Sequence, residues 1–147
     1  MAMQERRASI TWHGDLQTGN GDLEVGSGAF PKLNLTFSAR TESAGGMTSP
    51  EELIAAAHAT CYAMVLANML KQETGNAPDA FEVTAVCSLD RVEGALKITG
   101  MDLSVKANVP GIDAAKLKEM ANAAEQRCPV SNAIRGNVPV TVNTSVG

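Results

Sequence analysis

SPEELIAAAHATCYAMVLANML, residues 49–70, opens as a helix should and then stays apolar for five turns. Ser49 is an N-cap residue, Pro50 suits the first helical position, and Glu52 stands three residues after the cap, where a capping box places its carboxylate. The helix is predicted from Pro50 to Thr74, with Gly75 stopping it. Its middle is apolar on nearly every side, the pattern of a helix enclosed by other structure. The run Ala55, Ala56, Ala57, Ala59 and Ala63 lets a second backbone come close. A chain of 147 residues has few other elements with which to surround so long a helix, so an intertwined homodimer that pairs it with its own copy is expected. The stretch is long enough to span a bilayer. It is rich in alanine, however, and carries His58, Thr60 and Asn68 behind Glu51 and Glu52, which favours a helix buried in a soluble protein over a membrane span.

Outward from this helix the chain alternates. Residues 9–13 (SITWH) read as a strand ended by Gly14-Asp15, and residues 19–22 (GNGD) read as a turn before a short strand near residues 23–25. Leu33, Leu35, Phe37 and Ala39 alternate with polar neighbours, the period of a half-buried strand with Arg40 at its end. Residues 43–47 (SAGGM) form a flexible connection. Beyond the helix and a turn at Pro78-Asp79, residues 81–89 (FEVTAVCSL) read as a strand, residues 90–94 as a turn, and residues 95–98 and 101–109 as further strand. Asp113 caps a second helix whose Leu117, Met120, Ala121, Ala124 and Cys128 share one face, and Pro129 ends it. A turn over residues 131–135 leads to a last strand at 138–142. The fold class is α+β: antiparallel sheets around a long central helix, with a second helix, in one domain spanning residues 1–147.

Composition narrows the function. Twelve basic residues against sixteen acidic ones give a net charge of −4, and aromatic residues make up 3%. That balance argues against nucleic acid as a partner, which calls for a basic stripe and stacking platforms. The N-terminal MAMQERRASIT lacks an apolar segment of signal-peptide length, so a reducing cytoplasm is expected. Two histidines and no clustered carboxylates make a metal site improbable. GNGD lacks the strand–loop–helix context and lysine of a phosphate loop.

The chemistry rests with three cysteines, none in a CxxC pair. Cys87 lies within a strand and reads as a small hydrophobe. Cys61 lies inside the long helix and Cys128 at the end of the second. The motif around Cys61, with AHATC and ELIAAAH, together with RCPVSNAI at residues 127–134, closely resembles the two cysteine motifs of the OsmC/Ohr family, thiol-dependent peroxidases of organic hydroperoxides. The AHATC wording resembles the OsmC branch in particular. ITWHGDL, VPGID at residues 109–113 and SLDRVEGALKIT extend the resemblance over most of the chain. Ser49 replaces a frequent asparagine of the family, and either residue caps a helix.

The resemblance implies definite roles. Cys61 is the peroxidatic thiol, which must be a thiolate to attack the O–O bond. Arg40 is the cation that holds it so, and Glu51 receives Arg40 and aids protonation of the leaving alkoxide. Cys128 resolves the sulfenic acid as a disulfide, which an external dithiol or lipoyl-type reductant then reduces. No cofactor is implied. Glu51 and Cys61 are ten residues apart, about 15 Å along a straight helix. If both serve one thiol, Glu51 comes from a neighbouring subunit, or the helix begins with a bend, so a site shared across the dimer interface is expected. Two other readings stand beside the peroxidase: a non-enzymatic thiol sensor or carrier on the same fold, and a cysteine hydrolase using Cys61 and His58. His58, three residues before Cys61, is either a base for that thiol or an interior histidine satisfied elsewhere.

Overall fold

Trp12 and Ile10 lie across Gly21, and that close approach explains the first sheet. A β-carbon at Gly21 would sit 2.7 Å from both side chains. The glycine therefore serves inside a strand, and GNGD is not a turn as its composition led us to expect. The computed structural model describes residues 1–147 and divides into two compact units, residues 1–50 and 51–147. In the first, β1 (Ala8–His13), β2 (Asn20–Val25) and β3 (Leu33–Leu35) form an antiparallel sheet in that order. Trp12 pairs with Gly21 in its register. The actual turn precedes β2: Asp15 accepts from the Thr18 amide at 2.7 Å, and Gly14 takes a φ of +84°.

The alternation through Ala39 does not continue as strand. Thr36 takes an extended backbone and its hydroxyl accepts from the Ala39 amide, capping a short helix, α1 (Phe37–Thr41). Leu35, Phe37 and Ala39 fit a strand by period, but the Thr36 hydroxyl takes up an amide of the first helical turn, as an N-cap does. Arg40 thus stands in the last turn of a helix and not at a strand end.

The second unit holds the long helix, α2 (Pro50–Thr74), unbroken and with the predicted bounds. Gly75 ends it at φ +78°, its amide donating to the Lys71 carbonyl at 2.9 Å. The hairpin of β4 (Phe81–Val92) and β5 (Ala95–Ala107) follows. Its turn is shorter than expected: only Glu93 and Gly94 lie outside the strands, both at positive φ, which matches the right-handed twist of the strands. The break predicted near residues 99–100 is a bulge: Ser88 pairs with Gly100 and Leu89 with Ile98, leaving Thr99 extra.

Helix α3 (Ala114–Arg127) is capped by Asp113, which accepts from the Lys116 amide at 2.8 Å. The region read as a turn is helical instead, α4 (Pro129–Ile134), with Pro129 in its first turn. The chain then enters β6 (Val140–Val146), which pairs with β5 in parallel, not antiparallel. The α3–α4 crossover makes that possible, since parallel neighbours need a connection of a dozen residues or more. The core of this unit gathers Tyr62, Leu66 and Leu70 of α2, Leu103 and Val105 of β5, Leu117, Ala121 and Ala124 of α3, and Cys128.

Helix α2 buries less than its composition anticipates. Its buried positions are Glu51, His58, Tyr62, Leu66 and Leu70, essentially one stripe at a spacing of four. Ala56, Ala57, Thr60, Met64 and Asn68 are exposed. By length and composition alone α2 could cross a membrane, and only 22% of its apolar window is buried within the chain.

Candidate functional site

Cys61 occupies an interior position of α2, so the helix ladder fixes its backbone and the staggered rotamers restrict its thiol. Cys128 is held quite differently. Pro129 disfavours helical backbone for the residue before it, and Cys128 accordingly takes φ −73°, ψ 120° between α3 and α4. Helix α3 stops there, α4 starts at the proline, and the junction turns the sulfur inward, where Cys128 is fully buried. The two sulfurs, far apart in the chain, lie within hydrogen-bonding reach of each other, and both are free thiols.

The surroundings of Cys61 set its acidity. Burial pushes the thiol above its ordinary value; the Val130 amide, directed at the sulfur from α4, opposes this, and the hydrogen-bonded thiol of Cys128 adds to the rise. Within this unit the balance of these effects therefore favours the protonated thiol. A reactive thiolate at this position calls for a cation.

Two polar contacts from the buried stripe of α2 hold the junction. They come from Tyr62 and His58, about one helical turn apart. The Tyr62 hydroxyl donates to the Ala121 carbonyl of α3 at 2.8 Å, and burial pushes its own pKa well above the usual phenol value. His58 Nε2 lies 2.7 Å from Ser131 Oγ of α4, and its Nδ1 has no partner. Burial holds the imidazole below its ordinary pKa, against a smaller opposing pull from Glu125. With Nδ1 buried and without a partner, the one side-chain hydrogen bond of His58 goes to Ser131 and not to the Cys61 thiol that the hydrolase reading pairs it with. A third tie spans the same junction: Arg135, after α4, contacts buried Glu125 of α3 at 3.0 Å and donates to the Glu125 carbonyl at 3.1 Å.

The remaining expected site residues lie elsewhere. Glu51 is buried in the first turn of α2 and stands close enough to Cys87 of β4 that its charge, after burial, raises that thiol's pKa. Helix α2 runs unbroken through both residues, which along a straight axis puts Glu51 and Cys61 of one chain about 15 Å apart. Arg40 borders a small apolar cavity of about 130 Å³ with Ile10, Trp12, Leu35 and Phe37. No three of the His, Cys, Asp and Glu side chains converge as metal ligands would. Sequence reasoning passed over Ser131, Tyr62 and the Glu125–Arg135 pair. Ser131 had one visible signal, a hydroxyl three residues after Cys128 within RCPVSNAI.

Comparison with known proteins places this arrangement. A family model described as OsmC-like protein matches residues 41–143, a span containing both cysteine motifs. Peroxiredoxin OsmC of Escherichia coli (strain K12) is 37% identical over 133 residues, covering 90% of this chain and 92% of that one. Organic hydroperoxide resistance protein OhrB of Bacillus subtilis is 37% identical over a shorter stretch of 93 residues, 63% of this chain and 66% of that one. The crystal structure of that OhrB superposes with a TM-score of 0.73 at 29% identity, covering 95% of this chain and 98% of that one. An organic hydroperoxide resistance protein OsmC of Legionella pneumophila gives 0.74 at 27% identity, covering 99% and 100%. Sharing that fold, and aligned over nine-tenths of its length with one member, the chain belongs to the OsmC family.

Proposed function

We propose that the protein is a thiol-dependent peroxidase that reduces organic hydroperoxides to alcohols. The observation that carries this reading is the meeting of Cys61 and Cys128, two free thiols from distant parts of the chain in hydrogen-bonding reach. The Cys61 thiolate attacks the distal peroxide oxygen. The O–O bond breaks, an S–O bond forms, and the alkoxide leaves with a proton as alcohol. Cys128 then attacks the sulfur of the resulting sulfenic acid, the S–O bond breaks, and hydroxide takes the Cys128 proton to leave as water. An external dithiol or lipoyl-type reductant restores both thiols, so the cycle is complete without a cofactor.

Arg40 supplies the cation that this unit's Cys61 lacks, and Glu51 orients its guanidinium. An unbroken α2 keeps Glu51 of one chain away from Cys61 of the same chain, which supports a homodimer whose partner contributes that carboxylate. The exposed small and apolar residues of α2, with Met64 68% exposed, are the surface a second copy would cover. Residues 1–147 act as one domain in that assembly, in a reducing cytoplasm. The apolar surroundings of α2 suit a hydroperoxide with an apolar tail better than hydrogen peroxide.

The test is anaerobic thiol counting after one equivalent of cumene hydroperoxide. Wild type should lose two thiols to a disulfide, Cys61→Ser should lose none, and Cys128→Ser should lose one, as a sulfenic acid. Unchanged thiols in wild type would overturn the reading.

A further inference from the structure

His58 and Ser131 are both fully buried, 73 residues apart in sequence, and joined at 2.7 Å. Each stands three residues from a thiol: His58 before Cys61 on α2, Ser131 after Cys128 on α4. The ring's other nitrogen has no partner, so the imidazole makes this one side-chain hydrogen bond. It does so at the level of the helix where Cys61 sits. Tyr62 grips α3 from the same stripe. The two contacts thus bracket the Cys128 junction, one on the helix before it and one on the helix after it. Pro129 leaves that junction without a continuous ladder of its own, since Cys128 lies outside both helices. The Cys128 amide donates to the Glu125 carbonyl at 3.3 Å and its carbonyl accepts from the Asn132 amide at 2.9 Å, so its backbone is tied to each helix end, while the seating of α4 against α2 is left to side chains.

We propose that the His58–Ser131 hydrogen bond positions the resolving thiol, holding the first turn of α4 against α2 so that Cys128 meets the oxidised Cys61. This rests on the peroxidase reading and refines its second step. His58 and Ser131 are positioning residues here; neither touches the peroxide. In the step they govern, the Cys128 sulfur forms the S–S bond as the S–O bond of the Cys61 sulfenic acid breaks, and the Cys128 proton departs in water. Oxidation of Cys61 itself does not depend on Cys128 and should proceed without this contact.

The experiment separates the two steps. Reduced protein is mixed with one equivalent of cumene hydroperoxide and quenched over time. Sulfenic acid is trapped with dimedone, and the disulfide is quantified by non-reducing mass spectrometry. Ser131→Ala removes only the hydroxyl. It should leave the rate of sulfenic acid formation within about twofold of wild type and slow disulfide formation on the order of tenfold, the effect of one lost buried hydrogen bond. Under excess hydroperoxide the longer-lived sulfenic acid should then pass to sulfinic acid in larger yield. Ser131→Thr, which restores the hydroxyl, should recover most of the disulfide rate. His58→Gln keeps a donor for Ser131 and should fall between the two, providing a second reading if Ser131→Ala folds poorly. Wild-type disulfide kinetics in folded Ser131→Ala would overturn the inference, as would equal slowing of both steps. A wild type that forms neither sulfenic acid nor disulfide would overturn the peroxidase reading itself, which distinguishes the two failures.

Discussion

Replacing Arg40 with alanine should raise the pKa at which Cys61 is alkylated, and the surroundings of the thiol set the size of the effect. Burial and the Cys128 thiol both push Cys61 above the ordinary 9.0, with the Val130 amide alone opposing them. Even at 9.0 only about 1% of a thiol is ionised at pH 7. A cation a few ångströms away lowers such a pKa by about one to three units. Because ionisation cannot exceed 100%, losing it from that starting point removes about 10- to 100-fold of the thiolate at pH 7. A more basic thiolate is also a better nucleophile, with a Brønsted slope of about 0.4–0.5. That offsets much of the effect, leaving about a threefold to sixfold loss of rate at neutral pH.

Stopped-flow alkylation by monobromobimane from pH 5 to 11 would measure this, in a Cys87→Ser, Cys128→Ser background so that one thiol reports. The Arg40→Ala profile should be displaced to higher pH. It should also cross the parent profile and run above it once both thiols are ionised, because the uncompensated thiolate is the stronger nucleophile. Arg40→Lys keeps the charge and loses the fork that a carboxylate can hold at two points, so its profile should lie between them. A parent midpoint at or above 9, unmoved by Arg40→Ala, would refute the assignment of Arg40 as the activating cation.

Three further outcomes follow from other parts of the structure. Tyr62→Phe removes a fully buried hydroxyl bonded to Ala121; thermal unfolding should show a loss of about 1 kcal/mol, or roughly 2–5 °C for a chain of this size. Met64→Glu places a carboxylate on the exposed face of α2, and light scattering coupled to size exclusion should show the dimer dissociating at least about a hundredfold more readily while the protomer stays folded. Because burial lowers the pKa of His58, the unfolded chain takes up its proton first as pH falls. The stability contribution is therefore complete above about pH 6.5 and is lost progressively below it; denaturant unfolding across pH 7.5 to 5 should show a fall that His58→Gln lacks.

The long helix was legible to the residue because its signals are local. A proline at the first helical position, a carboxylate in the first turn and a glycine that takes positive φ at the end act on their own neighbours. Short elements failed for the same reason in reverse. In residues 33–39 the alternating apolar period favours a strand, and the chain instead turns into helix after Leu35, where Thr36 caps α1. Gly21 was misread because its purpose is to admit Ile10 and Trp12, which a neighbouring strand brings to it. The parallel entry of β6 depends on a crossover whose second helix, α4, lies in a segment of six residues. Within the site, the two thiols were legible through their motifs. The partnership of His58 with Ser131 was not, since a histidine in an apolar helix is compatible with many partners and only tertiary structure selects one. The exposed face of α2 is a different lesson: the composition reads as a helix enclosed on every side, whereas a single chain covers only one stripe of it.

The unequal settings of the two thiols have a mechanical consequence. Sulfurs in hydrogen-bond contact must close by more than ~1 Å to reach the ~2.05 Å of a disulfide. Cys61 cannot supply that movement without straining the ladder of α2, where its own amide and carbonyl are committed. Cys128 sits where one helix gives way to the next, its amide bonded to the Glu125 carbonyl and its carbonyl to the Asn132 amide, so its sulfur moves as the Pro129 junction moves. Freedom there carries a risk: a junction free to approach is also free to swing away, and the sulfenic acid would then wait for a second peroxide. Tyr62, His58 and Arg135 restrict the junction from three sides, and none of these contacts is made to the Cys128 thiol, which makes no side-chain cap on α4. The fold thus keeps the attacking sulfur on a rigid rod and gives the resolving sulfur a short, guided travel. That division of labour is why the polar ties of α2 point at the segments flanking Cys128 and not at the thiol.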